Sequence, residues 1–167
     1  MFHPPGDTDN AIVWRTAQYT RIGSGWVAAP YFNNDRRFPW VALRDAEDNA
    51  FIVLNVHNPA SGVRGMGDKS ARRAEAVRIE LAKIQELRAT TGLPVFFTGD
   101  MNARPGEFLP QIAGAGVQSA HAGNKQQRID WILATPDVRF TGWQSIRNDL
   151  IQRTTDHPLV VARATTN

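Results

Sequence analysis

The chain has 167 residues, 42% of them hydrophobic and 21% charged, which suits one soluble domain with a real core. It contains no cysteine, which excludes a disulfide framework, a thiolate nucleophile and a zinc–thiolate site together. The formal net charge is +3, and of the 19 basic residues only Lys69, Lys83 and Lys125 are not Arg, whose planar fork suits the oxygens of anionic phosphate substrates.

The first ten residues are polar, with Pro4, Pro5 and Gly6, and read as a loop or frayed terminus rather than a signal peptide. Ala11 to Arg15 is a short strand candidate, and Gly25 to Pro30 another. Phe38 to Arg44 alternates, Asp45 to Asn49 is a polar turn cluster, and Phe51 to Val56 is a nearly continuous apolar run. The two runs predict a hairpin whose second strand is buried on both faces. After a glycine-rich loop from Gly62 to Gly67 comes a long helix, about Lys69 to Thr90. Asp68 is placed to cap its start and Gly92 to end it. Ala74, Val77, Leu81, Ile84 and Arg88 recur at helical spacing, and Leu87 continues the apolar face. Pro94 to Thr98 predicts a strand, Phe108 to Ala115 a short helix, and Ile129 to Leu133, Val138 to Thr141 and Leu159 to Arg163 further strands. No stretch approaches the ~18 apolar residues of a membrane-spanning helix. Strands joined by one long crossover helix imply an α/β fold, with a helix packed outside a mixed sheet.

Four short signals fall at the ends of these strands, where open α/β folds place their chemistry. His57 leaves the strand ending in Asn55-Val56 and can bind a phosphate oxygen or carry a proton, although a structural His is the commoner role of such a residue. Asp100 and Asn102 follow the strand ending at Thr98. Two residues apart on extended backbone, they would point the same way, a carboxylate to handle water beside an amide to hold an oxyanion. The competing reading of this pair is an Asx turn. Asp130 interrupts an apolar strand, Arg128-Ile129-Asp130-Trp131, and a buried carboxylate needs a partner. Asp156 and His157 offer a hard oxygen and an imidazole side by side, with Pro158 holding the His extended.

Taken together and in this order, Val56-His57, Gly99-Asp100-Met101-Asn102, Arg128-Ile129-Asp130-Trp131 and Asp156-His157-Pro158 resemble the endonuclease/exonuclease/phosphatase superfamily, the deoxyribonuclease I-like enzymes. The resemblance runs from about Asn10 to Val161. It implies a four-layer α/β sandwich, two mixed β-sheets face to face with helices outside, and metal-dependent hydrolysis of phosphoester bonds. By the same resemblance His57 faces the phosphate, Asp100 activates the attacking water and Asn102 stabilises the oxyanion. Asp130 supports His157, His157 contacts the scissile phosphate, and Asp156 with Asp100 binds the metal. Arg37 sits where some members place a substrate-binding Arg. The implied cofactor is Mg²⁺, with Mn²⁺ or Ca²⁺ as alternatives. The implied partner is a phosphoester, nucleic acid among the candidates.

The family's early Asn and its metal-binding Glu have no counterpart here. The acidic residues before His57 are Asp7, Asp9, Asp35, Asp45, Glu47 and Asp48, and none follows a buried strand in the required way. The sequence is therefore expected to form a single domain, residues 1–167, lacking the N-terminal part of the family fold. Such a chain would self-associate or take its missing strands from elsewhere. It leaves open a second function, a phosphate- or nucleic-acid-binding relative that keeps the fold without turnover. A zinc hydrolase is disfavoured, because His3, His57, His121 and His157 show no metal-ligand spacing.

Overall fold

A computed structural model describes residues 1–7, 9–62, 67–121 and 128–166. In chain order the elements are β1 (Thr20–Pro30), β2 (Asp35–Arg44), β3 (Ala50–His57), α1 (Ser70–Thr91), β4 (Val95–Asp100), α2 (Pro105–Ile112), β5 (Gln118–Ser119), β6 (Asp130–Ala134), β7 (Val138–Ile146), α3 (Asp149–Thr154) and β8 (Leu159–Thr166). Six strands form one mixed sheet in the order β1-β2-β3-β4-β6-β5, and β7 and β8 form a second, two-stranded sheet. The β2–β3 hairpin is antiparallel, as the pattern predicted. β3 and β4 are parallel, which is why the long helix α1 lies between them as the crossover.

The faces of the large sheet are divided by strand periodicity. Ile52, Leu54 and Val56 of β3, with Val95 and Phe97 of β4, join Ala76, Val77, Ile84 and Leu87 of α1 and Phe108 and Ile112 of α2 in the main core. The alternate residues Phe51, Val53, Phe96 and Thr98 face Ala162 and Ala164 of β8 across a cavity of about 510 Å³. Phe96 meets Phe140 of β7 edge to face across the same gap. The result is two sheets facing each other with helices outside, the α/β sandwich the resemblance implied. Among the described residues no helix is long and apolar enough to cross a membrane.

Several local expectations are corrected. Ala11 to Arg15 is not a strand; within it only Ile12 makes a bridge, to Phe2, and it serves as a buried plug beside Val41 and Leu43. β1 begins at Thr20, because Gly23 and Gly25, which disguise the strand in sequence, lie under the Trp40 ring. β3 is not buried equally on both sides; Phe51, Val53 and Asn55 are only half-buried, facing the inter-sheet gap. Asp68 does not cap α1. The capping position is Lys69, and Asp68, one residue before it, accepts from the backbone N–H at 2.9 Å and the hydroxyl at 2.7 Å of Ser70, the first residue of α1. Gly92 does end α1 in the left-handed conformation, donating to the Arg88 carbonyl at 2.8 Å. Ala74 is exposed, and the buried stripe runs through Arg73, Val77, Glu80, Ile84 and Leu87. α2 starts three residues earlier than expected, with Pro105 in its first turn, where a missing N–H costs nothing. α3 and the two-residue β5 escaped prediction because each is too short to show a period. Residues 63–66 of the glycine-rich loop lie outside the described residues.

Candidate active site

Three of the predicted side chains stand in one row. His57 is the register partner of Asp100 across parallel β3 and β4, and Asp100 is the register partner of Asp130 across antiparallel β4 and β6. Residues directly opposite on neighbouring strands present their side chains on the same face. The backbone allows this row because Gly99 precedes Asp100. Its φ is +140°, and a Cβ there would overlap the Val56 carbonyl of β3. His157 enters from the second sheet, at the turn before β8.

The geometry is close. Asp100 Oδ2 lies 3.7 Å from His57 Nε2 and 3.9 Å from His157 Nε2, so one carboxylate stands between two imidazoles. His157 Nδ1 is 2.8 Å from Asp130 Oδ1 and 3.0 Å from Oδ2, the dyad expected from sequence. With Asp130 on Nδ1, the Nε2 edge is turned toward Asp100. Pocket walls are supplied by Thr98, Gly99, Trp131, Ile132, Pro158 and Val160.

The local electrostatics separate the two histidines. Burial, with the positive charges of Arg36 and His157, pushes the His57 pKa below its ordinary value. Burial also opposes charge on His157, but the hydrogen bond and charge of Asp130, with Asp100 and Asp156 behind it, outweigh this and raise its pKa. Asp100 is pushed up to about 6, chiefly by burial, with the Asn102 N–H working against the rise and the negative charge of Asp130 adding to it. An imidazole pushed toward its neutral form, one pushed toward its charged form and a carboxyl with its pKa raised to about 6 therefore share one small site. Environments that pull like groups apart in this way are typical of acid–base machinery.

Asn102 is brought to the site by the Asx turn, the second of the two readings the sequence left open, and not on extended backbone. Its φ is +49°, left-handed, and its backbone N–H donates to Asp100 Oδ1 at 2.8 Å, closing an Asx turn. Its side-chain amide donates to the Asn58 carbonyl at 2.7 Å and to Asp100 Oδ2 at 3.2 Å.

Two predicted residues are placed less centrally. The Asp156 carboxylate is 98% exposed and 4.0 Å from His157 Nε2, at the rim, and its backbone carbonyl accepts from the Arg147 guanidinium. Arg37 is not brought to the group. Its guanidinium donates to the Pro5 carbonyl at 2.8 Å and lies over Trp26. Adjacent strand residues point opposite ways, and it is Arg36 that approaches. Its guanidinium stacks 3.6 Å from the Tyr31 ring and bonds Asp9 at 2.6 Å, and Tyr31 meets the His57 ring edge to face at 5.8 Å. The hydrophobic–basic run at 36–40 pointed to this strand without resolving which Arg faces inward. Asn58, buried behind Asn102, was passed over because it reads as an ordinary loop residue after His57.

Among the described residues, Asp100, Asp130 and His157 each offer a ligand atom within 4.8 Å of the others. Hard carboxylate oxygens with one imidazole fit a divalent cation in donor type, with the remaining positions left to water and substrate.

The sequence matches the profile of the Endonuclease/Exonuclease/phosphatase family over residues 3–157. No curated protein matches it. Solved structures share the fold. A mannosyl-6-phosphatase from Bacteroides thetaiotaomicron is 16% identical with a TM-score of 0.69, over 91% of this chain and 69% of that one. The human Nocturnin catalytic domain with bound sulfate is 13% identical with a TM-score of 0.70, over 91% of this chain and 62% of that one. D. rerio TDP2 in complex with a single-strand DNA product is 18% identical with a TM-score of 0.67, over 91% of this chain and 70% of that one. This chain thus spans about two thirds of the length of the structures it resembles. With its profile match across nearly the whole sequence, its sandwich fold and its row of His and Asp residues, the chain belongs to the endonuclease/exonuclease/phosphatase family.

Proposed function

We propose that this chain hydrolyses phosphoester bonds with the help of a divalent cation, Mg²⁺ first and Mn²⁺ or Ca²⁺ as alternatives. The observation that carries the reading is the Asp100 carboxylate held between the Nε2 atoms of His57 and His157, with Asp130 fixed behind the second. Family membership supports the same class of chemistry.

In this reading Asp100 orients the attacking water and takes its proton, a task suited to a carboxyl whose pKa lies near neutrality. His157, kept charged by Asp130, stabilises negative charge gathering on the phosphoryl oxygens. His57, kept neutral, hydrogen-bonds a phosphate oxygen, and the Asn102 amide turns from Asp100 to the oxyanion. Asp100 and Asp130, with Asp156 at the rim, would hold the cation, which when bound supplies positive charge against the phosphate. Arg36, rather than Arg37, is the substrate-facing arginine.

For the substrate we favour a phosphodiester of nucleic acid. The excess of Arg and the single-strand DNA product in the TDP2 structure support this, while the mannosyl-6-phosphatase keeps phosphomonoesters in view. The test is turnover against a panel of single-stranded DNA, RNA, sphingomyelin and p-nitrophenyl phosphate, with Mg²⁺ and with chelator. Cation-dependent cleavage of the nucleic acids is the expected result. Binding without cleavage of any member would favour the second reading, a non-catalytic phosphate-binding relative.

A further inference from the structure

Glu80 is a carboxyl in the wrong place for a purely structural residue. It lies on the sheet-facing stripe of α1 between Val77, Ile84 and Leu87, with no solvent exposure. A leucine of similar size would continue that stripe. Burial pushes the Glu80 pKa up to about 8, so it is a neutral acid over most of the physiological range, both donor and acceptor.

Its hydrogen-bonding neighbour leads to the active site. Glu80 Oε2 lies 3.2 Å from Asn58 Nδ2, and Asn58 is itself fully buried. The Asn58 backbone N–H donates to the Asp100 carbonyl at 2.8 Å, and the Asn58 carbonyl accepts the Asn102 amide at 2.7 Å. One buried side chain therefore contacts the residue whose two backbone groups hold both Asp100 and Asn102. Arg73 fixes the next turn of the same segment, donating to the Pro59 carbonyl at 3.0 Å, but it makes no such link to Asn58.

We propose that Glu80 is a positioning residue, acting through Asn58 to set where the Asn102 amide and the Asp100 carboxylate stand. The proposal rests on the reading of Asp100 and Asn102 as the catalytic pair, and its test is chosen to stand apart from that reading. The test compares Glu80→Leu, which fills the space without a hydrogen bond, with Glu80→Gln, which keeps a donor and an acceptor. The primary readout is the NMR position and hydrogen exchange of the Asn102 side-chain amide, which needs no substrate. Glu80→Leu should shift that resonance and speed its exchange, and Glu80→Gln should restore both.

Against any substrate the wild type turns over, Glu80→Leu should lower kcat by about 10- to 100-fold with KM little changed, as expected for a small displacement of a catalytic group. Glu80→Gln should lie near wild type. If Glu80→Leu does not fold, Glu80→Met takes its place. An Asn102 amide unmoved by loss of the hydrogen bond, or a Gln variant as displaced as the Leu variant, overturns the proposal. If the wild type cleaves nothing, the functional reading fails while the amide resonance still decides the role of Glu80.

Discussion

Asp100 and Asp130 are register partners on the antiparallel strands β4 and β6, two carboxylates directly opposite one another on one face of a sheet. Like charges so placed are destabilising unless something positive intervenes, and here His157 does, bonded to Asp130 at 2.8 Å and 3.9 Å from Asp100. Replacing Asp130 by Asn leaves a hydrogen bond to His157 but removes the charge that favours the imidazolium. Turnover should fall by about 10²-fold or more, with the circular dichroism spectrum and melting temperature close to wild type. Near-normal turnover in Asp130→Asn would make Asp130 a structural residue.

The two histidines should titrate apart. Burial and the nearby positive charges lower the His57 pKa, while Asp130 raises that of His157 against the effect of burial. In metal-free buffer, an NMR titration of the ring protons should show His57 losing its proton first as pH rises, with a midpoint below 6.5, and His157 last, with a midpoint above it. Asp130→Asn should move the His157 midpoint down and largely close the gap. Coincident midpoints in the wild type would contradict the assignment.

Gly99 should tolerate no side chain. Its φ of +140° disfavours any L residue, and a Cβ would overlap the Val56 carbonyl on the neighbouring strand. Gly99→Ala should therefore cost about 2–5 kcal/mol, read as a lower midpoint in urea unfolding. A midpoint unchanged from wild type would show that β3 and β4 separate at this point without penalty.

Much of this was legible in the sequence, and for stated reasons. Alternation located β2 and apolar runs located β3, β4 and β6, while the polar residues at the ends of β3 and β4 and the carboxylate interrupting the third apolar run marked His57, Asp100 and Asp130. That Asp130 needs a partner followed from a carboxylate inside an apolar strand, but that the partner is His157 came only from the family resemblance. Local pattern could not say that Asn102 turns left-handed to reach the site, because Asn fits both an extended strand end and a turn. Nor could it choose between Arg36 and Arg37, which depends on the Tyr31 side chain folding over one of them. Glu80 was missed because the stripe read from the sequence ran through Leu81 and Arg88, whereas the buried face of α1 runs through Glu80 and Leu87.

Glu80 also makes a prediction about stability. Its folded pKa, about 8, lies above the ordinary value of 4.5, so between these limits the folded chain keeps a proton that the unfolded chain has lost. Stability must then fall as pH rises from about 5 to about 8, by up to about 1.4 kcal/mol per pH unit. Glu80→Gln carries no titrating proton and should flatten this slope, becoming the more stable protein at pH 8. Parallel stability curves for the two proteins across this range would show that Glu80 is ionised, or solvated, in the fold.

The most direct test of the central claim is the rate of hydrolysis of bis(p-nitrophenyl) phosphate by the wild type and by Asp100→Asn, each with Mg²⁺ or Mn²⁺ and again in excess chelator. Cation-assisted hydrolysis through Asp100 requires turnover by the wild type only when the cation is present, and its loss in Asp100→Asn under every condition. Undiminished turnover in chelator, or an Asp100→Asn variant as fast as wild type, would contradict it.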